Sequence, residues 1–589
     1  MRILLTALNA KYIHTNLAIR YLKKTIESDF SDVEMLEFTI NHHQEYILAE
    51  IYKRNPEILC FSCYIWNIQM VLELCSNIKK VLPDTIIILG GPEVSFETEE
   101  LMKDHDCIDF IVVGEGEGSF KSLLKALEDF SDITVVDDIV FRARGKIHAS
   151  KKACAFVSME ELPFPYQDEE LSEDKIIYYE SSRGCPFNCQ YCLSSTFSGV
   201  NYLPVERVKK ELSFFMSQRV KQVKFVDRTF NANKKNTKEI LQFLLDNHNG
   251  VTNFHFEVAA DLIDDEMLEL LKRAPIGLFQ FEIGVQSTNE DTLRAIDRKT
   301  NFDLLKAAVT KISSFKNIHQ HLDLIVGLPY EDYYSFRKSF NDVFELRPEK
   351  LQVGFLKLLK GSGLRINQES FGYRFNSQPP YEVLQNDYMS YGEIIQLKGA
   401  EEMVETYWNS GLFKASIELL MNNFYSNSFN FFQRLWRYWE GQGYHHQANG
   451  KNQLYNILLD FYIEEGHGRA EVFKEVLKLD YLKNTKTTTL PPFFTRHQEE
   501  DFKNKCHEFL QKEANLLEYL PEYINQPAKQ IIKRVHFEVF NYDVLALEVN
   551  PSLLKTINEE KTILLFDYQM ESKALNDSKY FNIAFLNME

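Results

Sequence analysis

The chain contains no run of about eighteen apolar residues, the length a membrane-crossing helix needs, so no segment is expected to span a bilayer. Its first ten residues, MRILLTALNA, carry one charge, Arg2, and lack a long apolar core and a cleavage pattern, so no secretion signal is expected. Basic residues are in short supply: 66 Lys and Arg stand against 85 Asp and Glu, a formal net charge of −19. Such a surface repels phosphate backbones, which argues against non-specific nucleic-acid binding and ranks RNA behind a small molecule or a peptide as substrate. Internal repeats and low-complexity tracts are missing as well. What remains is ordinary globular composition, 44% hydrophobic and 26% charged, which excludes a disordered chain, a collagen-like repeat and a disulfide miniprotein. The 589 residues predict three or four domains. The expected compartment is the cytoplasm, where clustered cysteines are more often metal ligands than disulfides.

Apolar strands and amphipathic helices alternate over the first 130 or so residues. The strands are predicted at Ile3–Leu8, Val33–Phe38, Ile58–Ser62, Thr85–Leu89 and Phe110–Val113, with helices such as Thr15–Glu27 and Ile68–Val81 between them. This α/β pattern predicts a doubly wound, Rossmann-like parallel sheet with ligand-binding loops at its C-terminal strand ends. A proline-bearing polar stretch, Ser158–Asp174, reads as a linker. A second alternating series follows at Ile176–Ser182, Gln222–Val226, Phe254–Val258, Leu278–Gly284, His321–Val326 and Leu351–Lys357. Six such strands predict a partial (βα)6 barrel of TIM type with its chemistry at the C-terminal mouth. From about Phe371 the pattern turns helical and aromatic, with helical stretches predicted over Tyr381–Phe424 and Phe431–Leu479. Short strands return at Val535–Val539 and Thr562–Phe566. The expected domains are therefore 1–145, a linker at 146–174, a core at 175–365, and a mainly helical domain with a small α/β end at 366–589.

Of nine cysteines (60, 63, 75, 107, 154, 185, 189, 192 and 506), three are packed into RGCPFNCQYC. Cys185, Cys189 and Cys192 form C-x3-C-x2-C directly after the first strand of the second series. Pro186 disfavours a regular helix there, so the thiolates are expected on a loop that can wrap a metal centre. A structural zinc site is the alternative, but it wants four ligands, and the closest histidines in sequence are His148 and His248. Three thiolates with an open fourth position suit an iron–sulfur cluster better.

This spacing, with Tyr191 before the last cysteine, resembles the radical S-adenosylmethionine (SAM) superfamily. The resemblance implies a [4Fe–4S] cluster on Cys185, Cys189 and Cys192, with SAM on the fourth iron cleaved reductively to a 5′-deoxyadenosyl radical. A flavodoxin or ferredoxin is the implied electron donor. In place of the Gly-Gly-Glu-like segment of many members stands VDRTFN, similar to the cobalamin-type variant; Asp227 is then the candidate acceptor for the SAM ammonium, the alternative being a turn cap. Glu257 ends the third strand, where a carboxylate can meet ribose hydroxyls or the amine. FEIGVQS, with Gln286, and LRAIDRKT, with Arg298, resemble the fourth-strand signature and the helix after it. Arg298 is the implied partner of the SAM carboxylate, the alternative being a solvated helix-end cation. DLIVGLPYED resembles the fifth-strand segment, so the likeness covers about Ile176–Leu359.

The N-terminal sheet carries IILGGPEVS after its fourth strand and VGEGEGSF after its fifth. Neither is G-x-G-x-x-G after a first strand, so a dinucleotide site is not expected. A sheet of this size ahead of a radical SAM core is similar to the cobalamin-binding domain of B12-dependent radical SAM enzymes. That resemblance implies cobalamin contacts at Lys11, Tyr12, Ser62, Gly90, Gly91, Glu115 and Gly116. The D-x-H-x-x-G segment of classical B12 proteins is absent; the loop reads LNAKYIHTN, and His14 is expected to be an ordinary histidine, not a cobalt ligand. Cys60, Cys63 and Cys75 read as buried small hydrophobes, His445–His446 as solvated, and the aromatic run Phe431–Trp439 as core. The resemblance implies a methyltransferase that carries a methyl group through methylcobalamin to a carbon activated by the 5′-deoxyadenosyl radical. Cobalamin-dependent ring formation or rearrangement, and a cluster-bearing sensor without turnover, are the alternatives.

Overall fold

A computed structural model describes residues 1–150, 158–167, 169–196, 199–487, 489–568 and 579–583. Cys154 therefore lies outside the described residues, as do parts of the 146–174 stretch. By internal contacts the chain divides into two compact units. One comprises Met1–Ile318, Gly327–Asp332 and Gly354–Ser390; the other comprises His319–Val326, Tyr333–Val353 and Tyr391–Glu589.

All five expected strands of the first sheet form: β1 (Ile3–Asn9), β2 (Val33–Thr39), β3 (Ile58–Ser62), β4 (Ile86–Gly90) and β5 (Phe110–Val112). They pair in parallel, in the order β2-β1-β3-β4-β5. Successive residues of β3 and β4 pack into opposite cores, Leu59, Phe61, Ile87 and Leu89 into one and Ile58, Cys60 and Ile88 into the other. This is why these strands read as unbroken apolar runs: helices cover both faces. Cys60, Cys63 and Cys75 are buried among them.

Two further strands, β6 (Ile139–Ala143) and β7 (Lys146–Ala149), extend this sheet antiparallel from β5. They are absent from the pattern-based expectation, and they carry the sheet past residue 145. Their two-residue turn, Arg144–Gly145, has φ values of 50° and 73°, the positive-φ geometry that suits a tight hairpin. Arg-Gly is a weak sequence signal for such a turn, and β7 is largely exposed; β6 buries only Ile139, Val140 and Phe141, an apolar run of three.

The second series begins with β8 (Ile176–Tyr179), followed by a small antiparallel pair, β9 (Ser182–Gly184) and β10 (Val200–Tyr202). Then come β11 (Gln222–Phe225), β12 (Asn253–Glu257), β13 (Phe279–Gln286), β14 (His319–Val326) and β15 (Lys350–Phe355). The six strands β8 and β11–β15 form one sheet in chain order, the partial (βα)6 arrangement expected. Parallel registers align Lys224 with both Tyr178 and His255, and Glu257 with Glu282. These alternate positions form a polar face: Lys224 Nζ donates to Glu282 at 2.9 Å, and His255 Nε2 lies 3.1 Å from the same carboxylate oxygen.

The helix predicted to begin at Tyr381 begins instead at Tyr391. Residues before it form a short antiparallel pair, Arg374–Phe375 with Val383–Gln385. Asn386 then accepts hydrogen bonds on its side chain from the N–H groups of Tyr388 and Met389, an Asx turn that competes with helix. In the second unit the helices run Tyr391–Met403, Lys414–Phe424, Ser428–Gly441, Lys451–Glu464 and Ala470–Asn484, with an antiparallel sheet of Val535–Phe540, Thr562–Asp567 and Lys579–Asn582. Phe431, Phe432, Leu435 and Trp439 are buried, so the aromatic run is core, whereas His445 and His446 are exposed.

Candidate cofactor cavity and thiol loop

Where strand order reverses, between β1 and β3, the outgoing loops diverge and leave a crevice. Here they open onto a cavity of about 880 Å³ within the first unit. Asn9, Ser62, Gly90 and Gly116 line it from the first sheet; Arg183, Cys192, Ser194 and Arg228 line it from the second series. Asn16 ties the crevice together, donating from Nδ2 to Ser62 Oγ at 3.1 Å.

The two glycines after β4 have different physical reasons. Gly91 has φ +110°, and a Cβ there would stand 2.6 Å from the carbonyl oxygen of Cys63. Backbone packing alone demands that glycine. A Cβ on Gly90 would meet Val112 at ordinary contact distance, 3.7 Å from its carbonyl oxygen, so packing alone does not demand glycine at this cavity-lining position. Glu115 lies at the cavity but 3.5 Å from Arg183, which also pairs with Glu117 and Glu180, each at 2.9 Å. Lys11 and Tyr12 do not line the cavity. Tyr12 is 65% exposed and its ring lies under the Lys175 ammonium. His14 does line it, with Nδ1 2.8 Å from the hydroxyl of Tyr178. Sequence reasoning missed Tyr64 and Trp66, whose rings stack 4.4 Å apart on the loop after β3 and line the same cavity. The aromatic pair in CYIWN was the available signal. It also missed Lys360, which lines the cavity 3.6 Å from the buried carboxylate of Glu93, itself the acceptor of a hydrogen bond from Tyr381.

The thiol loop starts where two glycines pass. Gly184, at φ +100°, comes so close to the carbonyl of Gly199 that a Cβ would sit 2.3 Å from it. Between these necks lie Cys185 and Cys192, half-buried, and Cys189, buried. Among the described residues no three His, Cys, Asp or Glu side chains are gathered around a single ion. A cluster asks for a different arrangement, since each thiolate then binds a different iron. Cys185 Sγ is 3.7 Å from Thr229 Oγ1, and Cys192 Sγ accepts from the Ser194 N–H at 3.4 Å.

The neighbouring strand ends carry the remaining candidates. Asp227 is buried, and its carboxylate accepts from the Ser181 N–H at 2.9 Å and from the hydroxyls of Ser181 and Ser182 at 2.5 and 2.6 Å. Burial pushes its carboxyl up to about 6. It therefore pins the turn that leads into the thiol loop, and with three hydrogen bonds to its two oxygens most of its acceptor capacity is used within the protein. Glu257 is half-buried, and desolvation pushes it up to about 7. Gln286 has φ 70°, and its Oε1 is buried without a hydrogen bond. Arg298 donates from Nη1 to the Tyr191 hydroxyl at 2.9 Å and from Nη2 to the Gly284 carbonyl, so both terminal nitrogens are engaged within the protein. Burial pushes the Tyr191 phenol well above its ordinary range.

Comparison with known proteins gives three successive family matches: a B12 binding domain over residues 3–124, the Radical SAM superfamily over 179–343, and Protein of unknown function (DUF4080) over 369–566. Among curated relatives, the 2-(S-pantetheinyl)-carbapenam-3-carboxylate methyltransferase of Streptantibioticus cattleyicolor is 28% identical over 55% of this chain and 50% of its own. The cobalamin-dependent radical SAM methyltransferase TokK of Streptomyces tokunonensis is 27% identical over 54% of this chain and 50% of its own. The chain thus spans about half the length of these relatives. The solved structure of the radical SAM methyltransferase TsrM from Kitasatospora setae superposes with a TM-score of 0.54 at 16% identity, covering 65% of this chain and 79% of that one, a likeness of fold. The B12 binding domain implies cobalamin, and the radical SAM domain implies a [4Fe–4S] cluster and SAM. The structure fits these groups: Ser62, Gly90 and Gly116 line a cavity at the switch point, and the free thiols of Cys185, Cys189 and Cys192 number one fewer than the irons of such a cluster, which leaves one iron open. A B12 binding domain joined to a radical SAM domain, with a further domain after them, makes this chain a member of the cobalamin-dependent radical SAM family.

Proposed function

We propose that this protein is a radical SAM enzyme that uses cobalamin to methylate a carbon of a small molecule or peptide. When bound, SAM and the cluster supply a 5′-deoxyadenosyl radical and cobalamin supplies a transferable methyl group. The observation that carries the reading is the single cavity whose lining includes both the switch-point residues Asn9, Ser62 and Gly90 and the thiol-loop residues Cys192–Ser194. Two cofactors that must exchange a substrate need such a shared space, and the apolar walls exclude the water that would quench a radical. In this reading Cys185, Cys189 and Cys192 hold the cluster, Glu257 and Gln286 face SAM, and Ser62, Gly90, Gly91 and Gly116 bound the cobalamin slot. The names of the two curated relatives support methyl transfer over ring formation.

The test is anaerobic reconstitution of the full chain with iron, sulfide and cobalamin, followed by quantification of 5′-deoxyadenosine and S-adenosylhomocysteine. Methyl transfer produces both. Substrate turnover that forms 5′-deoxyadenosine without S-adenosylhomocysteine would replace this reading with non-methylating chemistry. A Cys185→Ala variant that kept its iron and its cluster absorbance would overturn the ligand assignment.

A further inference from the structure

Arg298 and the thiol loop share one support. The Arg298 N–H closes the helix Glu290–Ala295 onto the Leu293 carbonyl at 2.9 Å, and the Gln190 N–H of the thiol loop donates to the Ile296 carbonyl at 2.9 Å. The guanidinium is then held from several sides. Nη2 is bound by the Gly284 carbonyl, and Nη1 by the Tyr191 hydroxyl at 2.9 Å; Nη1 also donates to Cys189 Sγ at 3.7 Å. Gly284 provides the room, because a Cβ there would stand 3.3 Å from Nη2 and 2.3 Å from Gln286 Nε2. Nε is buried and makes no hydrogen bond. The result is a permanent positive charge locked against the sulfur of one thiol and away from the cavity lining.

We propose that Arg298 is a positioning residue that raises the reduction potential of the iron–sulfur cluster, through its charge and its hydrogen bond to Cys189. The proposal rests on the cluster assignment above and goes beyond it. Reduction places one electron on a centre that already carries three thiolates, so the reduced state has one more negative charge. A cation beside one of those sulfurs favours that state, and in a partly desolvated site the preference is larger than in water. The N–H donated to sulfur acts in the same direction, by drawing charge from the ligand that must accommodate the electron. The electron comes from a donor of flavodoxin or ferredoxin class, and Arg298 gains and loses neither proton nor bond.

The experiment is a mediated dithionite titration of the reconstituted full chain without SAM, followed by the paramagnetic resonance signal of the reduced cluster. Iron and sulfide per chain are counted for native protein, Arg298→Lys, Arg298→Gln and Arg298→Met. With iron content unchanged, the neutral variants are expected to need at least a tenfold higher ratio of reduced to oxidised mediator for half reduction, which is about 59 mV for one electron. Arg298→Lys, which keeps the charge, is expected between native and neutral. A full cluster with the native midpoint in Arg298→Met and Arg298→Gln overturns the proposal. So does loss of iron in all three variants, because Arg298 would then be a support of the loop only. Failure of the cluster assignment itself shows differently, as iron retained in Cys185→Ala.

Discussion

Gly91 and Gly90 are neighbours with opposite expected sensitivities, and the contrast tests the geometry of the switch-point loop. In Gly91→Ala the new methyl group must sit at φ +110° and 2.6 Å from the Cys63 carbonyl oxygen, 3.0 Å from its nitrogen. Both obstacles are backbone, so neither can rotate away. Cys63 is itself tied by its N–H to the Gly90 carbonyl at 2.7 Å, so relief requires pulling β3 and β4 apart at their ends. Backbone strain of this kind costs about 1–3 kcal/mol, and overpacking adds about 1–3 kcal/mol. A loss of about 4 kcal/mol is expected, a large share of the stability of an ordinary domain. Gly90→Ala meets nothing closer than 3.7 Å and is expected to change stability by less than about 0.5 kcal/mol. Under the proposed function its effect falls on cobalamin retention, because Gly90 lines the cavity and the added methyl group narrows it. Urea unfolding, with hydrogen exchange to localise the change to β3 and β4, measures the first; cobalamin retained after gel filtration measures the second. Equal stability of Gly91→Ala and the native chain would refute the packing argument. Equal cobalamin retention by Gly90→Ala and the native chain would refute the slot.

Three further outcomes follow from buried charge. His255 and Lys224 hold the Glu282 carboxyl down to about 2, below its ordinary 4.5; the native state thus binds fewer protons there, and its stabilisation is complete above about pH 4.5 and lost as pH falls toward 2. Glu282→Gln is expected to remove about 2–3 kcal/mol at pH 7 and to flatten that acid limb in a series of urea titrations; an unchanged limb would count against the pairing. Asp227→Asn replaces an acceptor of three hydrogen bonds by a group that turns N–H against the Ser181 N–H or hydroxyls, and is expected to cost about 1–3 kcal/mol. Unchanged stability with lost SAM binding would return Asp227 to the role of ammonium acceptor. In the second unit Lys478 is fully buried, 3.1 Å from Glu475 and 3.8 Å from Glu538, and Lys478→Met should cost about 3–5 kcal/mol by taking their shared ammonium from two buried carboxylates. Calorimetry showing no loss would mean that those carboxylates are protonated in the native protein.

The sequence by itself determined the order of the domains, because fully buried parallel strands such as Ile58–Ser62 and Ile86–Gly90 leave continuous apolar runs and the helices between them keep their own period. It also determined the thiol spacing, since three cysteines within eight residues need no folding to be seen. The β6–β7 hairpin escaped because its apolar run is only three residues long, β7 is exposed and the turn is Arg-Gly; the start of the helix at Tyr391 escaped because hydrogen bonds accepted by the Asn386 side chain outweigh helical propensity locally. The partners of the side chains at the strand ends were decided only in three dimensions. Asp227 finds Ser181 and Ser182 across 45 residues of chain, Arg298 finds Cys189 and Tyr191 across more than a hundred, and Lys360 reaches Glu93 from the far end of the second series. A motif states which residue types stand at which strand end. Which way each side chain turns depends on the donors and acceptors that folding brings beside it, and a buried polar group takes the nearest partner that satisfies it.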